Sequence, residues 1–186
     1  MKILLLDNYD SFTFNLAHYL ESMCEKVDVL RNDEVSLERI NDYDKIVLSP
    51  GPGMPADAGM MPELITRYTG KTPILGVCLG MQGIAEYFGG RLYNQTVVRH
   101  GVSTIITTTE ESLLFRELPR QFEVGLYHSW AVTDLPNSLR VSATSQEEVI
   151  MAIECADQRI YGVQFHPESI LTQCGKEILR NFVLLG

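Results

Sequence analysis

Cys78 stands at the centre of Gly76-Val77-Cys78-Leu79-Gly80, with a glycine two residues to either side. This is the spacing of a nucleophile elbow, with cysteine where hydrolases place serine. A side chain at the tip of a sharp strand-to-helix turn is presented outward, and the missing Cβ atoms on either side let neighbouring backbone pass close. The N-terminus of the following helix favours a thiolate, the attacking form, which a cysteine of pKa about 8.5 would otherwise supply only to a few per cent at neutral pH. Taken alone, a cysteine at the end of an apolar strand is more often a small core residue.

A second group of residues changes the balance. Near the C-terminus an apolar segment runs into His166-Pro167-Glu168. His166 has the chemistry of a base and then an acid, and Glu168 that of a group which holds the ring and stabilises the imidazolium, giving a Cys, His, Glu triad in chain order. Pro167 keeps residue 166 extended, so that His166 and Glu168 leave the strand end side by side. By itself the tripeptide reads as a turn with a solvated glutamate. Together with the elbow it is far more specific.

Positioning Cys78 at such a corner requires strands and helices in alternation, and the first half of the chain has that pattern. Residues 3–6, 27–30, 45–49 and 73–78 read as strands, the last hydrophobic on both faces like a central parallel strand. Ser11 is placed to cap a helix with Phe12, Leu16, Tyr19, Leu20 and Met23 on one face. A second helix carries Met61, Leu64, Ile65 and Tyr68 and stops at Gly70; a third, over 79–88, stops at Gly89-Gly90. From about Val97 the pattern turns β-rich, with segments at 103–108, 122–132, 139–145, 149–155 and 160–165. A helix over 172–185, with Ile178, Leu179, Phe182 and Leu185 inward, closes the chain. The expected fold is α/β: an open, mostly parallel central sheet flanked by helices, with additional antiparallel strands in the second half and a nucleophile elbow at a strand-helix corner. Neither a repeat nor a linker divides the sequence, so residues 1–186 are expected to form one domain.

Composition narrows the function classes. The 186 residues carry a formal charge of -9 with basic residues scattered singly, which argues against nucleic-acid binding. Cys24, Cys78, Cys155 and Cys174 form no C-x-x-C pair, and Met1-Lys2 leads straight into a strand rather than a signal-peptide core, so a reduced, cytoplasmic setting is expected. No apolar run approaches the roughly 18 residues of a membrane span. The four histidines, His18, His100, His128 and His166, lack zinc-site spacing, and no metal site is expected.

The sequence resembles the class I glutamine amidotransferases, and within them the small subunits that serve anthranilate synthase and aminodeoxychorismate synthase. The resemblance spans nearly the whole chain. It is carried by Asp7-Asn8-Tyr9-Asp10-Ser11-Phe12-Thr13-Phe14-Asn15, Ser49-Pro50-Gly51-Pro52-Gly53, Gly76 to Gln82, Tyr127-His128-Ser129 and Gly162 to Ser169, in the family's order. It implies that Cys78 attacks the glutamine carboxamide, that His166 and Glu168 complete the triad, and that glutamate and ammonia are the products. Backbone N–H groups of Leu79 and, by the resemblance, Gly53 would hold the oxyanion, within a Gly51-Pro52-Gly53 loop that Pro52, lacking an N–H, only shapes. Gln82, one helical turn after Cys78, would contact the substrate's polar end together with backbone groups of Ser129 and Trp130. The resemblance also implies a separate chorismate-using synthase as partner and no cofactor in this chain, with magnesium expected in the partner.

Four positions depart from the family pattern: Met81, Val102, Leu126 and Trp130. The first three lack a polar group that relatives often carry, which is expected to alter the partner-facing surface. A bulky Trp130 is expected to narrow the glutamine pocket if its ring points inward. The favoured reading is the glutaminase of anthranilate synthase, with the same role in aminodeoxychorismate synthase as the alternative. A partner-free cysteine hydrolase and a regulatory subunit without catalysis are the competing classes.

Overall fold

The computed structural model describes residues 1–185, with only the backbone described at Val97, Val98 and Arg99. Five strands, β1 (Lys2–Asp7), β2 (Lys26–Arg31), β3 (Lys45–Leu48), β4 (Ile74–Val77) and β9 (Ile160–Val163), lie parallel in the order β2-β1-β3-β4-β9. The sheet continues antiparallel through β8 (Ile150–Cys155), β7 (Arg140–Ser145), β5 (Arg91–Thr108) and β6 (Gln121–Thr133). The α/β sheet and its antiparallel second half are therefore as the sequence pattern predicts.

Alternation along the central strands divides the core into two layers. Ile3, Leu5, Val47, Leu75 and Val77 pack on one face with α1 (Thr13–Glu21) and α4 (Gly175–Leu184). Leu4, Leu6, Ile46, Leu48 and Ile74 pack on the other with α2 (Met61–Tyr68) and α3 (Leu79–Tyr87). Strands covered on both faces are largely apolar, and every residue of β3, β4 and β9 is buried, with Lys45 at the start of β3 the charged exception. At eight residues α2 is too short to be stable alone. Its stripe of Met61, Leu64, Ile65 and Tyr68 is buried against the sheet, each side chain contributing about 1.5–3 kcal/mol. No helix among the described residues is long and apolar enough to cross a membrane.

Several boundaries differ from the sequence reading, and three of them have a local reason. Ser11 is exposed and does not cap α1; the N-cap position is Phe12, which makes no side-chain cap bond. Carboxylates organise this turn instead. Asp7 Oδ1 accepts from Tyr9 N (2.9 Å) and Thr13 Oγ1 (2.8 Å), and Asp10 Oδ2 accepts from Phe12 N (2.7 Å). At the C-terminus α4 starts at Gly175 rather than 172, because Thr172 is committed to the turn before it, donating its hydroxyl to His166 O (2.6 Å). β5 starts at Arg91, well before residue 103, and changes register between Asn94 and Arg99 and between His100 and Val102. Its first residues are largely exposed and polar, so no apolar face announces a strand there.

Candidate active site

Parallel pairing places the C-terminal ends of β1, β3, β4 and β9 along one edge of the sheet, where loops of α/β proteins build their sites. The chain after β4 supplies Cys78, the chain after β3 supplies Gly51-Pro52-Gly53, and the chain after β9 supplies His166 and Glu168.

Cys78 sits at the N-cap of α3 with φ 50° and ψ -102°, a strained backbone for a residue with a side chain. The strand behind fixes it: Cys78 N donates to Val163 O at 2.8 Å, and Gln82 N donates to Cys78 O at 3.0 Å. Both elbow glycines are required by contact. A Cβ on Gly76 would lie 2.4 Å from Gly80 C, and one on Gly80 would lie 2.6 Å from Leu48 Cβ. The turn is thus wedged between β3 and α3, with Cys78 Sγ held at the helix N-terminus.

β9 ends at Val163, two residues earlier than the sequence pattern predicts, because the chain leaves its neighbouring strand just beyond Gln164. Gln164 N bonds to Met151 O (2.8 Å) on β8, and His166 N bonds to Gly125 O (3.1 Å) on β6. His166 and Glu168 therefore stand on a turn beyond the strand, strapped by Thr172, whose hydroxyl also accepts from Gly125 N at 3.0 Å. His166 Nδ1 donates to Glu168 Oε1 at 2.7 Å, and the two residues are 2% and 3% exposed. The opposite ring nitrogen, Nε2, is buried and makes no hydrogen bond to nitrogen or oxygen, although the Cys78 sulphur is near enough to act on the ring's protonation. Burial opposes a charged ring, but the Cys78 sulphur and the Glu168 carboxylate outweigh it and hold His166 up to about 10.

Aromatic rings wall the imidazole. Tyr127 lies 4.9 Å and Phe12 5.9 Å from it, centroid to centroid, and His100 packs edge-on against Tyr127 at 5.3 Å. The sequence gives His100 no task and marks Phe12 and Tyr127 only by their place in the motifs at 7–15 and 127–129. The role found here is packing.

Gly51, Pro52, Gly53, Cys78, Gln82, Ser129 and Trp130 line one cavity of about 210 Å³, with Tyr127 and His128. Leu79 is beside it, its side chain so close that a Cβ on Gly51 would lie 2.9 Å from Leu79 Cδ2. Asn8 ties this loop to the end of β1: Asn8 N donates to Ser49 Oγ (2.8 Å) and Asn8 Nδ2 to Ser49 O (2.9 Å). Gly53, at φ 79°, holds a conformation that favours glycine. The Trp130 carbonyl accepts from Gln82 Nε2 (3.0 Å) and from His128 Nδ1 (2.8 Å), so this residue contributes backbone as well as a wall. A thiol and a glycine loop lining one small cavity, with an imidazole oriented by a carboxylate buried behind the thiol, are the parts needed for nucleophilic displacement at a carbonyl carbon.

The departures at Met81 and Leu126 do not reach a partner-facing surface. Met81 is fully buried among the apolar side chains between β9 and α3, where a Cβ on Gly162 would meet its Cγ at 2.9 Å, and Leu126 is buried in the layer of α1 and α4. Both positions carry apolar residues because the core encloses them. Val102, 42% exposed, is the one of the three that faces outward.

Known proteins similar to this chain give its family. Residues 4–185 match the family Glutamine amidotransferase class-I. Anthranilate synthase component 2 of Lactococcus lactis is 44% identical over 185 residues, covering 97% of this chain and 93% of that protein. Aminodeoxychorismate/anthranilate synthase component 2 of Bacillus subtilis is also 44% identical, covering 97% and 95%. Among solved structures, a GMP synthase subunit protein from Thermoplasma acidophilum superposes with TM-score 0.89 at 27% identity, over 98% of this chain and 92% of that one. With a match over residues 4–185, the chain belongs to the class I glutamine amidotransferases.

Proposed function

We propose that this chain is the glutaminase subunit of anthranilate synthase, hydrolysing L-glutamine and delivering ammonia to a separate chorismate-using synthase. The observation that carries the reading is His166 set between two partners, with Nδ1 on the Glu168 carboxylate at 2.7 Å and Nε2 buried beside the Cys78 sulphur.

The chemistry follows from that arrangement. The Cys78 thiolate adds to the carboxamide carbon, and the N–H groups of Leu79 and Gly53 receive the oxyanion. His166, protonated at neutral pH, gives its proton to the departing nitrogen, and ammonia leaves a glutamyl thioester. Acylation removes the negative charge from sulphur, and with it one of the two influences that keep the ring protonated. His166 is then free to take a proton from water, which attacks the thioester and releases glutamate and Cys78. Gln82, Ser129 and Trp130 hold the amino-acid end of the substrate.

The cavity, about 210 Å³, is smaller than the roughly 300 Å³ at which sites for larger ligands begin, and so suits a free amino acid better than a peptide. This disfavours a partner-free peptidase. Ammonia must stay unprotonated and sheltered from water to act as a nucleophile, which requires a docked acceptor. A second cavity of about 350 Å³, lined by Phe12, Asn15, Tyr127, Glu168 and Ile170 among others, adjoins the first across Tyr127. Ile170 and Phe14 beside this region are 97% and 69% exposed, as befits a surface covered by another protein. The whole stretch 1–186 acts as one cytoplasmic glutaminase domain in this reading, with no cofactor of its own and magnesium held by the synthase.

The second reading, aminodeoxychorismate synthase, is favoured by the Bacillus subtilis relative, whose name covers both activities. The deciding experiment supplies the chain and its natural partner with chorismate, magnesium and glutamine and identifies the aminated product by mass spectrometry. Anthranilate supports the first reading and aminodeoxychorismate the second; the absence of both products would sink both readings.

A further inference from the structure

Gln164 is fully buried and does not line the cavity, yet it lies between the nucleophile and the substrate-side glutamine. Gln82 Nε2 donates to Trp130 O at 3.0 Å and to Gln164 Oε1 at 3.2 Å, and Gln164 Nε2 donates to Cys78 Sγ at 3.6 Å. The amide orientations are mutually determined. A backbone carbonyl only accepts, so the Trp130 contact requires the nitrogen of Gln82 on that side; Gln164 must then present its oxygen to Gln82, which leaves its NH₂ for the sulphur. The Gln164 backbone is itself anchored, N to Met151 O at 2.8 Å, so the side chain hangs from a fixed point at the end of β9.

We infer that Gln164 is a positioning residue for the glutaminase reaction: its NH₂ holds and stabilises the Cys78 thiolate, while its carbonyl oxygen locks Gln82 in its substrate-facing pose. The inference rests on Cys78 being the nucleophile. An N–H donor gives more to a thiolate than to a thiol, because hydrogen bonds to a charged acceptor are the stronger ones. The donor is not supplied by the catalytic imidazole, so His166 can give up its proton to the leaving nitrogen without leaving the sulphur bare. A purely structural glutamine would satisfy its hydrogen bonds with backbone; this one directs both ends of its amide to two groups of the site.

The test uses Gln164→Met, close in length but without donor or acceptor, in complex with the partner synthase. Alkylation by iodoacetamide is followed against pH by mass spectrometry of the peptide carrying Cys78, since Cys24, Cys155 and Cys174 are partly exposed thiols. The alkylation midpoint is expected to move to higher pH. Glutamine-dependent kcat is expected to fall roughly ten- to hundred-fold, the range for one hydrogen bond to a charged group. KM is expected to rise because Gln82 loses an anchor. In Gln164→Glu the Gln82 anchor survives while a carboxylate oxygen faces the sulphur; kcat and the midpoint should change with little change in KM. If Gln164→Met fails to fold, Gln164→Glu carries the same test of the sulphur contact. A lowered melting temperature with an unmoved alkylation midpoint would overturn the inference and leave Gln164 a packing residue. Cys78→Ser, run alongside, separates the two levels: retained glutamine hydrolysis there refutes the nucleophile assignment itself, whereas its loss together with an unmoved midpoint in the Gln164 variants refutes only the role of Gln164.

Discussion

Gly175, the first residue of α4, passes so close beneath Pro167 that a Cβ built on it would stand 1.8 Å from the Pro167 carbonyl oxygen. The helix that closes the fold is therefore pressed directly against the turn that carries His166 and Glu168. Neither side can yield cheaply, since the contact on the turn side is backbone and α4 is anchored in the core by Ile178, Leu179 and Phe182. Gly175→Ala must displace one of them. We expect a loss of about 3 kcal/mol or more in stability, at or above the upper end for overpacking, because the clash is with backbone. Glutamine-dependent turnover should fall further than stability explains, because the His166 ring moves with its turn. Urea midpoints at constant m-value, set beside kcat of the folded fraction, check both; full activity in a destabilised protein would show that the helix rather than the turn gives way.

The glycines around Cys78 make a contrasting pair. At Gly80 a methyl group would meet Leu48 Cβ at 2.6 Å and Leu48 O at 2.7 Å, whereas at Gly53 nothing lies within 4 Å and only the positive φ opposes a side chain. Gly80→Ala should therefore destabilise the fold by several kcal/mol or prevent folding. Gly53→Ala should cost about 1–2 kcal/mol of backbone strain, with its main effect on kcat as the loop N–H leaves the oxyanion position. Equal melting temperatures for the two variants would contradict this assignment of strain and contact.

Much of this arrangement is legible in the sequence because its causes are local. The elbow glycines, the two-residue gap between His166 and Glu168, and the doubly apolar runs of β3 and β4 are each a short-range pattern with one physical solution. What is not legible is a choice between competing neighbours or a role set by distant partners. Asp7 and Asp10 stand as near the turn as Ser11 and organise it with their carboxylates, and residue type alone does not decide that the Thr172 hydroxyl straps His166 O instead of starting a helix. The mostly exposed opening of β5 pairs with β6 through backbone, which leaves no periodic trace. Met81 reads as a surface departure only until β9 is seen to cover it. Gln164 lies inside a quoted motif, but its role needs the positions of Cys78 and Gln82 in space.

The protonation of His166 gives a pH prediction with a definite sign. Its folded value is held up to about 10, above the roughly 6.5 of an unfolded chain, so the folded protein binds the extra proton between those values. The stability that this contributes is fully present below about 6.5 and is lost as pH rises through about 10. Cys78→Ser removes the sulphur's influence while keeping Glu168, and the midpoint should fall. Glu168→Gln should lower it as well, by removing the other supporting group. Nitrogen-15 NMR titration of the His166 ring in the three proteins reads the midpoints directly. An unchanged value in Cys78→Ser would mean that the sulphur does not support the imidazolium.

The surface beside the second cavity gives the last prediction. Ile170 follows the His166-Pro167-Glu168-Ser169 turn, lines that cavity, and is 97% exposed. An apolar side chain so placed adds nothing to the core, so Ile170→Asp should leave stability unchanged within about 0.5 kcal/mol. If the synthase docks over this cavity to receive ammonia, the same substitution buries a carboxylate in the interface, and the complex should weaken at least about ten-fold in Kd. Product formation from glutamine should then drop at limiting synthase, while synthesis from added ammonium persists because it needs no transfer between the proteins. Calorimetric titration of the synthase with wild type and Ile170→Asp measures the affinity. Equal Kd values would move the docking surface away from Ile170, and with it the exit of the ammonia, since both are placed at the cavity that shares Tyr127 with the Cys78 site.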